Sequence, residues 1–455
     1  MRAFARQMAE RMKAVAAAGA VAAFWLAAWV FAAALVAQPL ILPGPGAVVV
    51  ALLRLVCDAS TWAILMGSGA RILGGLALAA VCGGVLAGVS VRSCAFARLV
   101  APALSFVKAT PVACVVVLLL IWLGSARVSI AAVFLMALPG VYFSLVEGLA
   151  QVDKPLEQMF RLHGVRGWRL FCAHTWREVL PFVLSCARAV IGMSWKAGVA
   201  AELIGMAVGT VGERIYQAKL LIETADLLAW TVLVVMASWA CERVLVWLLR
   251  ASGPAAWRAA VLSHGRGLRG RAGAADVAEL ALAVGDRAPW APALDGLVLN
   301  VPAGGRICVM GTSGVGKSTL LALAAGECAP CSMVFQDVRL VEGASALDNV
   351  LVCADARVDA SSAAALLRLL VPGVDVHARV AELSGGQRRR VEIARALLCP
   401  GGAVILDEPF TGLDTAARDA CAEVVLDLLV GRMLLLATHD AVDAQALNIS
   451  DIITL

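Results

Sequence analysis

Long apolar runs in the first 250 residues constrain this chain more than any other feature. The run 14–37 carries no charged residue over 24 positions. Coiled as a helix, about 20 apolar residues match the ~30 Å hydrocarbon core of a bilayer. Basic residues precede the run, as in a signal peptide, but it is longer than a signal's apolar region and reads as a retained span. Further runs lie at 72–91, 109–126, 128–146, 179–203 and 227–249. The run 179–203 is interrupted by Arg188, Lys196 and Glu202, and 227–249 carries Glu242 and Arg243 near its end. The stretch GAVVVALLRLV, 46–56, is too short to cross and reads as an interfacial or packing helix. Lys196 and Glu202 either line a path through the membrane or stand as separate structural charges near its surface.

Composition agrees. Hydrophobic residues make up 61% of the 455 positions and charged residues 16%, against about 45–50% and 25% in soluble domains. The 13 cysteines are scattered, several of them inside apolar runs, and form no disulfide framework. The net charge of +5 is modest, and no nucleic-acid partner is expected.

Loop charges orient the spans. Arg2, Arg6, Arg11 and Lys13 precede the first. Lys154, Arg161, Arg166, Arg169 and Arg177 precede the fifth. Arg250, Arg258, Arg266, Arg269 and Arg271 follow the sixth. All three groups are expected on the cytoplasmic side, and six spans put both ends of this half there. The segment 251–275 is rich in Gly, Ala and Arg and reads as a linker whose arginines either touch anionic lipid heads or simply solvate a tether. The expected domains are therefore a permease-like half at 1–250, a linker at 251–275 and a second domain at 276–455.

The second domain has a different character. RICVMGTSGVGKSTLLALAAG reads as a strand, a glycine-rich loop and a helix. Gly311, Thr312, Ser313, Gly314, Val315, Gly316, Lys317, Ser318 and Thr319 form a candidate ATP-phosphate cradle. Its glycines let backbone N–H groups approach the phosphates, and the helix N-terminus adds its dipole. Lys317 would reach the β and γ phosphates, and Ser318 would ligate Mg²⁺. AVILDEP is an apolar strand ending in two acids: Asp407 is placed to hold Mg²⁺, and Glu408 to polarise the attacking water.

LSGGQ, 383–387, followed by RRRVEIARALL, resembles the ABC transporter ATPase family. The other motifs of that family appear in order: Gln336 in MVFQD, TGLD at 411–414, and His439 in LLLATHD. The resemblance covers 280–455. It implies an α/β P-loop ATPase in which ATP is sandwiched between the phosphate loop of one subunit and Ser384, Gly385, Gly386 and Gln387 of another. Glu408, His439, Gln336 and Lys317 would be the catalytic set, and Ser318, Gln336 and Asp407 the Mg²⁺ set. Two departures stand out. Gln336 follows Lys317 by only 19 positions, so strands that normally fill this interval are expected to be missing. In the family an upstream aromatic stacks on adenine; Trp290 either does so here or is a packed Trp on a hairpin. Cys328 and Cys331 form a C-x-x-C with no second pair near it, and read as a coincidence of a Cys-rich chain.

LPGPGAVVVALLRL, KATPVACVVVLLLIWLG and SWKAGVAAELIG resemble permease subunits of nitrate, sulfonate and taurine ABC importers, over most of 40–249. Between the fourth and fifth spans, KPLEQMFRLHGVRGWRLFCAHTWREVLP resembles their cytoplasmic coupling loop. Gly164 and Leu180-Pro181 fit, while Glu157 is one position out of register; Arg166 and Arg169 are its basic candidates. The resemblance implies an all-α membrane domain of about six helices fused to an ATPase in the cytoplasmic membrane. It implies ATP-driven import of a small anion such as nitrate, sulfonate, taurine or bicarbonate, delivered by a separate solute-binding protein. Import of a vitamin precursor such as a thiamine pyrimidine, a membrane-tethered regulatory ATPase, and export remain rival readings. One phosphate loop and one LSGGQ per chain imply a homodimer or pairing with a related half-transporter. With 16 residues after His439, no regulatory tail domain is expected.

Overall fold

The structure is a computed structural model that describes residues 2–263, 279–284, 294–312, 314–429 and 431–455. The chain divides into two compact units. One holds 1–150 and 179–250; the other holds 151–178 and 251–455.

The first unit is helical. Its helices are α1 (Arg2–Val36), α2 (Pro45–Cys57), α3 (Ala59–Arg92), α4 (Cys94–Ala109), α5 (Val112–Leu123) and α6 (Ser125–Ala150). After α7 (Lys154–Leu162) and α8 (Gly167–Leu170), both of the second unit, come α9 (Trp176–Gly205), α10 (Val211–Leu220) and α11 (Thr224–Leu262). Among the described residues, five helical stretches are long and apolar enough to cross a bilayer, and α4 with α5 adds a bent pair. The short helix expected at 46–56 is α2.

The continuous span expected at 109–126 does not form. The helix breaks between Ala109 and Val112, and the two pieces meet at 103°. Pro111 has no N–H to give and forces Thr110 into extended backbone, at φ −75° and ψ 129°. The remaining α5 has 12 residues, about 18 Å at 1.5 Å per residue, which is short of a ~30 Å core.

Small residues let α3 and α6 approach closely. A Cβ on Gly75 would lie 2.5 Å from the Ile130 carbonyl oxygen, and one on Gly83 would lie 2.8 Å from Val141. Glu202, near the end of the apolar helix α9, is fully buried and paired. It accepts from Ser68 Oγ at 2.8 Å, Arg71 Nε at 3.1 Å and the Gly212 amide at 3.4 Å. Ser68 Oγ also accepts from the Val211 amide at 3.1 Å, so the cluster ties α3, α9 and the start of α10 together. Lys196 is exposed and stands apart from this cluster.

The second unit is α/β. A two-stranded antiparallel sheet pairs β1 (Glu279–Ala283) with β2 (Val298–Pro302). The main sheet is parallel and has the order β4-β5-β6-β3-β7. Along the chain run β3 (Arg306–Met310), α12 (Lys317–Glu327), β4 (Ser332–Val334), α13 (Ala346–Leu351) and α14 (Ala360–Leu370). Then follow α15 (Gly385–Leu398), β5 (Ala403–Asp407), α16 (Thr415–Leu428), β6 (Met433–Thr438), α17 (Ala441–Ala446) and β7 (Asp451–Thr454). Every residue of β5 and β6 is buried, which is why AVILD and MLLLAT read as unbroken apolar runs. As the short interval foretold, α12 leads directly to β4 with no strand between them.

The segment 151–178, which holds the expected coupling loop, belongs to this same unit. Leu156, Met159, Phe160, Val165 and Leu170 are buried in one hydrophobic cluster with the sheet and its helices. The outer strand β4 is capped by the segment: the Cys331 amide donates to the Leu162 carbonyl at 3.0 Å, and the Met333 amide donates to His163 Nε2 at 3.1 Å. Residues 251–262 of the expected linker continue α11, with Trp257, Ala260 and Val261 buried in the same cluster. The rest of that linker, 264–275, lies outside the described residues.

Candidate functional site: a phosphate loop beside two acids and a histidine

Parallel register brings the site together. Met310 pairs with Thr438, and Asp407 with Ala437, so β3, β5 and β6 deliver their C-terminal ends to one edge. The residues that follow those ends are Gly311, Glu408 and His439.

The loop from Gly311 to Gly316 turns sharply into α12. Gly314 and Gly316 have φ of +84° and +112°, conformations that a Cβ disfavours. A Cβ on Gly311 would meet Val315 at 2.9 Å and the Leu455 carbonyl oxygen at 3.0 Å. Lys317 opens α12 and folds back, donating from Nζ to the carbonyls of Gly311 at 2.7 Å and Thr312 at 3.1 Å. Its ammonium thus lies over the loop, where phosphates would sit. Thr312, Gly314 and Ser318 are exposed, while Val315 and Thr319 are half-buried. Ser313 and Trp290 lie outside the described residues.

Asp407 ends β5 and is buried; its Oδ1 has no hydrogen-bond partner. Burial pushes its carboxyl up from the usual range, a shift opposed by a hydrogen bond from Ser318. An orphaned carboxylate oxygen beside a serine hydroxyl is the donor set Mg²⁺ takes when phosphates and water complete its shell. Among the described residues no group of three His, Cys, Asp or Glu side chains competes as a metal cage.

Glu408 sits at φ +47°, uncommon for a residue with a Cβ. Its amide donates to the Ala437 carbonyl at 2.8 Å. Its Oε1 lies 3.2 Å from His439 Nδ1, and its Oε2 accepts from Thr411 Oγ1 at 3.5 Å. The turn carrying His439 is held by Thr438 Oγ1, which donates to Asp443 at 2.7 Å and accepts from the Asp440 amide at 3.1 Å. Gln336 is exposed two residues beyond β4.

Ser384 caps α15. Its hydroxyl accepts from the Gln387 amide at 3.3 Å, and Gln387 Oε1 accepts from the Ser384 amide at 2.8 Å. Ser384 and Gly385 are exposed at this helix N-terminus. A Cβ on Gly386 would meet Leu413 at 3.3 Å, so the LSGGQ and TGLD loops touch.

In the segment expected to be the coupling loop, Glu157 pairs with Arg161 at 2.6 Å on α7, and Gly164 ends that helix at φ +80°. Arg169 Nη2 donates to the Val352 carbonyl at 3.0 Å, whereas Arg166 is exposed. Cys328 and Cys331 are buried and free, and burial pushes the Cys331 thiol up to about 12, which leaves it unreactive.

Sequence reasoning passed over Arg389. It lies buried one turn into α15 and reaches the carbonyls of Asp407, Glu408 and Pro409. The available signal was Arg389, Glu392 and Arg395 at three-residue spacing on an otherwise apolar helix face.

The family described as "Binding-protein-dependent transport system inner membrane component" matches residues 80–258, and "ABC transporter" matches 329–411. The taurine import ATP-binding protein of Chromobacterium violaceum is 38% identical over 182 residues, covering 34% of this chain and 68% of that protein. The aliphatic sulfonates import ATP-binding protein of Escherichia coli strain K12 is 36% identical over 179 residues, covering 34% and 68%. That of Rhizobium johnstonii is 35% identical over 182 residues, covering 35% and 66%. The chain thus spans about two thirds of the curated relatives it matches. Among solved structures, a dimeric bacterial ABC transporter cassette aligns at 24% identity and a TM-score of 0.33, over 36% of this chain and 86% of that one.

Proposed function

Since the chain belongs to the ABC transporter family and joins a permease component to an ATPase, we propose that it imports small organosulfonates at the expense of ATP. The relatives named for taurine and aliphatic sulfonate import support that substrate class over nitrate, bicarbonate or a vitamin precursor. Two copies would act together in the cytoplasmic membrane, with the N-terminus and the ATPase on the cytoplasmic side. A separate solute-binding protein would deliver the sulfonate from outside.

The observation that carries this reading is the burial of Met159 and Phe160 in the hydrophobic core of the ATPase unit. A segment lying between two membrane helices is thereby part of the ATP-hydrolysing domain, which suits a machine that transmits nucleotide-driven motion to a permease.

In the working cycle, backbone N–H groups of 311–319 and the Lys317 ammonium hold the β and γ phosphates. Ser318, Asp407 and Gln336 would hold Mg²⁺, which neutralises charge developing on the transferred phosphoryl group. Glu408 accepts a proton from the attacking water, and His439, beside its carboxylate, fixes the direction in which that carboxylate points. Ser384 and the N-terminus of α15 would meet the γ-phosphate bound to the second copy.

Proteoliposomes loaded with Mg-ATP test the whole reading. With a sulfonate-binding protein outside, labelled taurine or a short alkanesulfonate accumulates inside, and accumulation stops when ATP is withheld. Hydrolysis with no accumulation of any sulfonate would refute the proposed substrate class.

A further inference from the structure

We propose that Arg389 is a positioning residue that holds the Glu408 turn and the Gln336 loop in one frame, so that both meet the nucleotide together. The inference rests on the reading of Glu408 and Gln336 as ATP-site residues.

A guanidinium carries five N–H donors in a rigid plane. At Arg389 every one is engaged, although the residue is only 3% exposed. Nε donates to the Pro409 carbonyl at 3.1 Å. Nη2 donates to the carbonyls of Asp407 at 2.9 Å and Glu408 at 2.7 Å. Nη1 donates to Glu392 Oε2 at 3.0 Å and to the Phe335 carbonyl. Three of these acceptors wrap the turn that leaves β5, and a fourth immediately precedes Gln336.

The far end of the Gln336 loop is held from the same helix. Glu392 Oε1 accepts from the Arg339 amide at 2.6 Å, and Arg395 Nη1 donates to the Arg339 carbonyl at 2.5 Å. Glu392, fully buried, is the shared counter-ion of Arg389 and Arg395. Residues 335 and 339 are therefore both pinned to α15, and Gln336 is left exposed between them.

The backbone conformation at Glu408 shows why such a clamp is needed. A positive φ persists only where surroundings over-determine it, and Arg389 binds the carbonyls before, at and after that residue. Lysine keeps the charge but has three donors on a flexible stem, so it cannot serve all five acceptors.

The test is Arg389→Lys in the full-length chain, alone and combined with Glu408→Gln. The single variant is expected to lose roughly 10–100-fold in kcat for ATP hydrolysis, the scale of a misplaced catalytic group, with KM for ATP changed less than about twofold. On the Glu408→Gln background the same substitution is expected to cost clearly less than on the wild type, because one of its two routes to the chemistry, the Glu408 turn, is already cut and only the Gln336 loop remains. A merely structural role would lower both backgrounds alike. If the lysine chain does not accumulate, Arg389→Gln replaces it; Glu392 then keeps Arg395 as its partner. Wild-type kcat in the Arg389 variants, a loss confined to KM, or full additivity with Glu408→Gln overturns the proposal. If the single Glu408→Gln chain hydrolyses at the wild-type rate, the reading of the site falls, and the proposal with it.

Discussion

Replacing His163 with Gln should make the edge of the ATPase sheet insensitive to acid. His163 is fully buried, with Nε2 accepting from the Met333 amide at 3.1 Å and Nδ1 lying 3.0 Å from Met159 Sδ. That geometry requires a neutral ring, because a proton on Nε2 would oppose the amide hydrogen. Burial, aided by the positive charges of Arg395 and Arg432, holds its pKa well below the ordinary 6.5. The folded pKa is depressed, so below 6.5 the opened state binds a proton that the native state refuses, and stability falls with pH. Going from pH 7.5 to 5.5 then costs on the order of 1 kcal/mol, up to roughly tenfold in the opening equilibrium. Glutamine can accept from the Met333 amide and does not titrate. Amide hydrogen exchange of the peptide covering 331–335, corrected for the intrinsic pH dependence, reads the opening free energy in both chains. The wild type is expected to lose on the order of 1 kcal/mol over this window relative to His163→Gln. Equal pH dependence in the two chains would refute the argument.

Lys317→Ala removes the cation over the phosphates and should abolish ATP-dependent uptake without unfolding the sheet; normal uptake would sink the phosphate-loop assignment. Arg169→Glu breaks the bond to the Val352 carbonyl and should lower uptake more than ATPase activity in detergent, whereas equal losses would make Arg169 a purely structural group. Glu408→Gln should retain Mg-ATP but hydrolyse it about 100-fold or more slowly, measured by phosphate release. In that background, cysteines at Thr312 and Gly386 should crosslink between two chains only when ATP is present; crosslinks within one chain, or indifferent to ATP, would refute pairing of two copies.

Much of the ATPase half was legible because its motifs coincide with forced geometry. A parallel sheet buried on both faces makes AVILD and MLLLAT unbroken apolar runs. The glycines of GTSGVGKST mark the places where positive φ and close packing exclude a Cβ. The membrane half was legible in hydropathy but not in its interruptions. Pro111 was in plain view, yet counting apolar residues gives its missing N–H no weight. The linker reading overlooked Trp257, Ala260 and Val261: a stretch with Gly253 and Pro254 stays helical because those side chains find a core to enter. His163 and Arg389 were the hardest to foresee. Each acts through backbone groups far away in sequence, Met333 in one case and Phe335 and Asp407 in the other, and no local pattern announces such partners.

The burial of α7 against the sheet also sets a timetable for synthesis. Met159 and Phe160 leave the ribosome well before β4 or β5 exists to cover them. At about 5–20 residues per second, the ~170 residues from Phe160 to Val334 take roughly 10–30 s to translate. Through that interval the apolar side chains of α7 have no sheet to pack against. Synthesis that halts before the sheet is complete leaves Met159 and Phe160 without the core that covers them in the finished chain.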